Sequence, residues 1–218
     1  MQKAVRSRVR VRRGSEGTRQ ALLTTGAKLF AERGFDGARV DEIARKAGVN
    51  KAMISYHFGG KRKLYIAILT ATLTDLASRL KALLETNDPP ATLLRRFVST
   101  FVEAMQQSPT VPAILVRELL SGGRHVDRHL LPHFLALFAV VREIVERGVR
   151  DGSFRSVHPT LTHFGLIGSL LFFFITAPVR ERLQREGKLP MEVPPADAFA
   201  RHTQELMARG LAAAPSRA

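Results

Sequence analysis

The chain has 218 residues, 45% of them hydrophobic and 24% charged, a balance ordinary for a globular protein and a length sufficient for one or two buried cores. It contains no cysteine, which excludes disulfides, thiolate metal sites and a cysteine nucleophile and fits a reducing compartment. Lys and Arg number 34 against 19 Asp and Glu, for a net charge of +15. Residues 1–65 hold 16 of the basic and 5 of the acidic residues, net +11, so one end of the chain is strongly cationic. That asymmetry points to a polyanionic partner for the N-terminal part.

The chain opens MQKAVRSRVRVRRGSEG. This stretch lacks the apolar core of a signal peptide, and residues 1–16 are read as a basic flexible arm. From Thr18 a helical pattern carries Ala21, Leu22, Ala27, Leu29 and Phe30 and stops at Gly34. Val40–Ala47 and Lys51–Phe58 read as two short helices, and Gly59-Gly60 ends the second. Lys61 opens a long helix reaching about Glu85, with Leu64, Ile68, Ala71, Leu76, Leu80 and Leu83 inward. Breaks at TNDPP (86–90), SPTVP (108–112), SGG (121–123) and DGS (151–153) delimit three more helices. His158-Pro159 opens an eighth, GKLPMEVPP (187–195) is a linker, and a last helix runs from about Ala196 to Leu211. No alternating Val/Ile/Thr-rich segment suggests a strand. The apolar run Phe164–Val179 falls short of the ~20 residues that span a bilayer and reads as a buried helix.

The second and third helices carry a specific grammar. Ala44 is small enough for a close helix crossing, and Gly48 can take the left-handed turn conformation. Val49 can anchor the turn, Asn50 can cap the next helix, and Ile54 returns an apolar side chain to the crossing. A helix hairpin inside any helical protein shares this spacing. What sets this one apart is the other face of the third helix: Lys51, Ser55, Tyr56 and His57 are donors and aromatics able to reach phosphates and base edges. Lys61, Arg62 and Lys63 then open the next helix, where cations oppose the helix dipole and a nearby phosphate would account for them.

Residues 27–65, AKLFAERGFDGARVDEIARKAGVNKAMISYHFGGKRKLY, resemble the DNA-binding domain of the tetracycline-repressor (TetR) family of bacterial transcription regulators. The resemblance lies in LFAERGF, VDEIARKAGV, the NKAxIxYHF helix and K-x-x-L-Y. It implies an all-α homodimer of about nine helices per chain: a helix-turn-helix DNA-binding domain (17–63) and a ligand-binding and dimerisation domain (64–218). The partners it implies are a palindromic double-stranded operator and a small-molecule effector, with no cofactor, no membrane and no enzymatic activity. Effector binding in such proteins moves the fourth helix, respaces the recognition helices and usually releases the operator. A cytoplasmic location follows.

Carried over by motif position, the DNA-binding candidates are Arg39, Lys51, Ala52, Ser55, Tyr56, His57 and Lys61. Ala52 lets the backbone approach the duplex, and Lys61 matches a phosphate-contacting lysine. Phe58 aligns with a buried aromatic. For Tyr56 a core position, and for His57 a helix cap, are the rival readings. Two departures stand out. Arg39 replaces the Thr or Ser common before the second helix, as a substitute phosphate contact or as a solvated surface charge. Ser55 stands where relatives often carry Tyr, so the operator sequence does not transfer. The arm residues Lys3, Arg6, Arg8, Arg10, Arg12 and Arg13 suit minor-groove or phosphate contacts.

In the C-terminal part, Phe97, Phe101, Met105, Leu115, Leu119, Phe134 and Phe138 suggest an apolar pocket for a lipophilic or aromatic effector, although each alone is more often core. Glu118 is the acidic residue chosen as its polar contact, with a salt bridge as the rival use. Leu166, Leu170 and Phe173 with Phe199 and Leu206 are expected at the dimer interface. His125, His129 and His133 recur every four residues, a zinc-like spacing that Pro132 and the neighbouring arginines disfavour. The competing functions are a nonspecific architectural DNA binder driven by the arm and, less favoured, a helical His-containing enzyme or metalloprotein. No phosphate-cradling loop or nucleophile motif supports the enzyme.

Overall fold

The computed structural model describes the backbone of residues 2–214 and the side chains of residues 14–214. The described residues form nine helices: α1 (Gln2–Gly37), α2 (Val40–Lys46), α3 (Ala52–Phe58), α4 (Lys61–Leu83), α5 (Pro90–Gln107), α6 (Val111–Leu120), α7 (Leu131–Arg150), α8 (Pro159–Arg185) and α9 (Ala196–Leu211). Among them there is no strand, only one isolated antiparallel bridge between Phe154 and Ala212. The all-α class and the helix order agree with the sequence pattern. α1 takes in the backbone of the basic arm, whose side chains at residues 1–13 lie outside the described residues, so its contact with DNA remains a proposal.

The chain divides into two compact units. The first holds everything described up to Ala71 together with Ala113–Leu130, a stretch expected in the second domain. α1, α2 and α3 pack on one another in this unit. Its core is Leu22, Leu29, Phe30, Ile43, Ala44, Ile54, Phe58, Leu64, Tyr65 and Leu69, with Ile114 and Leu115 from α6. Burying each large apolar side chain is worth about 1.5–3 kcal/mol, which lets such short helices as α2 and α3 persist although neither would in isolation. Gly34 does not end α1; it breaks the helix with φ 72 and ψ −180, and helical structure resumes to Gly37.

The second unit comprises Thr72–Pro112 and the chain from Leu131 onward. Its central element is α5, which packs against α7, α8 and α9. The apolar spacing of α5 explains this. Leu93, Leu94, Phe97, Val98, Phe101, Val102 and Met105 form a wide buried face. Pro90 stands in the first turn, where its missing N–H costs nothing. His158 opens α8 as expected, its ring nitrogen accepting from the Thr160 amide at 3.2 Å. Gln204 ties α9 to α5 by donating to the Arg95 carbonyl (2.9 Å) and the Ser99 hydroxyl (2.8 Å). Ala71, expected inward on α4, is exposed; Leu69 and Leu73 take the buried positions instead.

α8 departs from expectation in two ways. It fills the 27 residues between the expected start at His158-Pro159 and the expected linker, and it is the one described helix long and apolar enough, by length and composition, to cross a membrane. It is also not uniformly buried. Leu166 and Leu170 enter the core, whereas Leu161, Phe164, Phe172 and Val179 are exposed.

Candidate nucleic-acid interface

The turn between α2 and α3 is built as the sequence dictates. Gly48 adopts φ 70, a conformation that a side chain would strain. The Gly48 and Val49 amides donate to the carbonyls of Arg45 (3.2 Å) and Ala44 (3.0 Å), closing the end of α2. Asn50 Oδ1 then accepts from the Ala52 amide at 2.9 Å and satisfies an otherwise free donor at the start of α3. With the helix fixed at its start, the Lys51 cap and the residues after it sort cleanly. Ile54 and Phe58 are buried, while Lys51, Ala52, Ser55 and Tyr56 are exposed. Tyr56 is 75% exposed, which removes the core reading for it, and its ring meets that of the half-buried His57 edge-on at 5.0 Å.

Arg39 occupies the cap position of α2 in extended conformation, and its side chain makes no capping bond. Its carbonyl accepts from Glu42 (3.1 Å) and Ile43 (3.0 Å), and Asp41 and Glu42 in the first turn favour the helix dipole. The guanidinium is therefore exposed and unspent in the helix itself. Arg33 pairs with Glu42, Lys46 reaches the same carboxylate at 3.4 Å, and Lys51 Nζ lies 3.3 Å from Asp41. These are surface pairs whose attraction water and salt largely screen, weak enough for a phosphate to displace.

The cations opening α4 have local partners that the sequence did not reveal. Lys61 is half-buried; its Nζ donates to the Asp36 carbonyl at 3.3 Å and stands 4.5 Å from the centre of the Phe35 ring. Burial pulls its pKa below the usual lysine value, against an opposing pull from Asp36. Arg62 pairs with Asp127 at 2.9 Å. Only Lys63 of the three keeps the phosphate as its simplest explanation, so the helix-dipole argument for a phosphate at Lys61 and Arg62 does not hold.

Glu118 is 2% exposed and fully engaged. Its Oε2 accepts from the Tyr65 hydroxyl (2.8 Å) and lies 2.9 Å from His125 Nδ1, and its Oε1 accepts from the His125 amide (2.6 Å). Burial alone would raise its carboxyl above 4.5; the His125 amide, the Tyr65 hydroxyl and the His125 ring outweigh it and hold the pKa low. Tyr65 is pushed far up by burial and by the adjacent carboxylate. The ionisable partner beside it is the His125 ring, and no arginine is among these contacts. Residues 124–130 are not helical, so His125, His129 and His133 do not share a helix face, and the zinc-like spacing dissolves.

The sequence pattern of "Bacterial regulatory proteins, tetR family" matches residues 22–68, and that of "Tetracyclin repressor-like, C-terminal domain" matches residues 90–184. The chain is 31% identical over 166 residues to the transcriptional repressor NicS of Pseudomonas putida, covering 73% of this chain and 76% of that one. It is 33% identical over 147 residues to the transcriptional repressor KstR2 of Rhodococcus jostii, covering 66% and 71%. The chain belongs to the TetR family. TetR regulators bind operator DNA as dimers and answer to small-molecule effectors, and this chain is such a regulator and not an enzyme. Its fold is also that of the ketosteroid regulator KstR2 of Mycobacterium tuberculosis, with a TM-score of 0.73 at 18% identity over 90% of this chain and 95% of that one.

Within a TetR protein the remaining candidates take definite places. Leu166 and Leu170 are fully buried in the protomer core, so they cannot form the dimer interface expected of them. Phe173 stacks on Phe199 at 4.0 Å with an interplanar angle of 5°, and the Arg180 guanidinium lies 4.3 Å from the centre of the Phe173 ring. That stack joins α8 to α9 within one protomer. Leu206 is exposed. The uniform run FFF at 172–174 hides this division in the sequence, because only three-dimensional packing separates exposed Phe172 from Phe174 against the core. The eight effector candidates divide between the units: Leu115, Glu118 and Leu119 in the first, the others in the second. Phe97, Phe101 and Met105 are buried in the second unit's core, and Phe134 and Phe138 are half-buried. Leu115 is buried in the first unit, and Leu119 is exposed.

Proposed function

We propose that this regulator represses transcription by laying α3 in the major groove of each half of a two-fold symmetric operator. Lys51, Ala52, Ser55 and Tyr56 are the residues that meet DNA, with Arg39 and His57 beside them. The observation that carries this reading is the sorting of α3: buried Ile54 and Phe58 fix the helix, Ala52, Ser55 and Tyr56 are exposed, and His57 is half-buried beside them. Ala52 at the start of the helix admits close backbone approach, and Tyr56 suits a phosphate or base edge. Lys61, tied to Asp36 and Phe35, contributes to this surface only if the duplex draws it away. The basic arm adds nonspecific phosphate contacts; deleting residues 1–13 lowers the dependence of binding on salt.

The second unit houses a lipophilic or aromatic effector whose binding releases the operator, a reading supported by the aromatic residues Phe97, Phe101, Phe134 and Phe138 with Met105. The exposed apolar residues of α8, with Leu206 of α9, meet the same face of a second copy, which accounts for a helix apolar enough to cross a membrane in a cytoplasmic regulator. The test is operator binding by fluorescence anisotropy against competitor DNA. Lys51→Ala or Tyr56→Phe is expected to weaken specific binding by about tenfold while leaving the fold intact. Unchanged affinity in both variants refutes the assignment of α3.

A further inference from the structure

The end of α6 and the turn after it form a dense polar joint within the first unit. Arg117 donates from Nε to the Ala31 carbonyl and from Nη2 to the Glu32 carbonyl, both at 2.9 Å. Those carbonyls lie just ahead of the break in α1 at Gly34. Arg124 reaches Asp36 on the far side of the break at 3.1 Å. Next to Arg117 in the chain, buried Glu118 takes the Tyr65 hydroxyl from the start of α4 and both donors of His125. Aromatic rings close around this carboxylate: Tyr65 meets Phe30 at 5.0 Å and Phe35 at 5.2 Å, and Phe35 meets His125 at 4.1 Å.

A buried carboxylate is a costly way to fill space, because an apolar side chain of the same size packs without desolvation. What hydrogen bonds add over apolar contact is direction: three donors converging on one carboxylate hold the start of α4 and the turn after α6 against the end of α6, and Arg117 ties α1 to the same helix end. The chain passes from one unit to the other at three places. α4 crosses between Ala71 and Thr72, and α6 crosses between Pro112 and Ala113. The third passage, at Leu130–Leu131, follows the turn that carries His125.

We propose that Glu118 and Arg117 are positioning residues for operator recognition: they lock the end of α1 and the start of α4 in one register, and so fix the spacing at which the dimer accepts its two half-sites. This rests on the reading of α3 as the recognition helix, and it gives Glu118 a role other than effector contact. Half-site sequence is set by the side chains of α3; half-site spacing is set by how those helices are held. A joint that only stabilised the fold would change neither.

The test is selection from a duplex library of random half-sites separated by spacers of varied length, with the wild type, Tyr65→Phe and Arg117→Met. Tyr65→Phe deletes one donor to the carboxylate and keeps the ring; Arg117→Met deletes both α1 contacts from an exposed side chain. Both variants are expected to recover the wild-type half-site sequence over a broadened range of spacings, with the specific-to-nonspecific ratio lowered roughly five- to tenfold. Recovery of the single wild-type spacing at an unchanged ratio overturns the proposal, and so does a changed half-site sequence. If Tyr65→Phe melts below the working temperature, Arg117→Met decides by the same outcomes. Failure of the wild type to recover any symmetric site counts instead against the assignment of α3.

Discussion

The Tyr65 hydroxyl donates to the buried Glu118 carboxylate across 2.8 Å, joining the first turn of α4 to the last turn of α6 over 53 residues of sequence. The consequence is a pH-dependent contribution to stability. The carboxyl is held below its ordinary 4.5, so above about that pH it is ionised in both folded and unfolded chains and its stabilisation is fully present. As pH falls below 4.5 the unfolded chain takes up the proton first, and the contribution is lost on the way down through the folded value. Glu118→Gln is expected to be less stable than the wild type near neutral pH, by about 1–3 kcal/mol, and to lose less on acidification. Urea denaturation between about pH 7 and 3.5 measures this; parallel curves for the two proteins contradict it.

The two faces of α8 separate stability from assembly. Phe172 is 65% exposed on the apolar face, whereas Leu170, two residues earlier, is fully buried in the core. Phe172→Glu is expected to give a folded monomer by analytical ultracentrifugation, with operator affinity reduced. Leu170→Glu places an unpaired charge among apolar side chains and is expected to unfold the second unit rather than dissociate it. A folded, monomeric Leu170→Glu would reverse this assignment.

Gly148 on α7 is held to its identity by a neighbour. A Cβ there would overlap the ring of Phe154, whose amide donates to the Gly148 carbonyl at 2.8 Å. Phe154 is buried and bridges to Ala212 after α9, so the ring cannot easily retreat. Gly148→Ala is expected to cost about 1–3 kcal/mol although alanine is the better helix former, where propensity alone predicts a gain of about 1 kcal/mol. The sign of the change in thermal midpoint decides between them.

Much of the fold and the shape of the candidate DNA-binding surface were legible in the sequence because local chemistry specifies them. Gly48, Asn50, Ile54 and Phe58 act through the turn, the cap and the helix period, all of which are read within a dozen residues. What could not be read depended on partners distant in sequence. The Lys61 and Arg62 side chains looked unexplained until Asp36, Phe35 and Asp127 came beside them. Glu118 looked like an effector contact because neither Tyr65 nor His125 announces itself as its partner. Leu166 and Leu170 share their apolar character with Phe164 and Phe172, and only the packing of α5 and α7 on α8 decides which residues are buried. The histidine repeat had the period of a helix but fell in a segment that Gly122 and Gly123 keep out of one.

The most direct test of the central claim is selection of duplex DNA from a random library by the intact protein, followed by measurement of affinity for the recovered sequence and for scrambled DNA at one fixed salt concentration. A dimeric regulator reading DNA through α3 recovers two inverted half-sites and binds them roughly a thousandfold or more tighter than scrambled DNA. Recovery of no common sequence, with equal affinity for both duplexes, would contradict it and leave a nonspecific DNA binder driven by its charge.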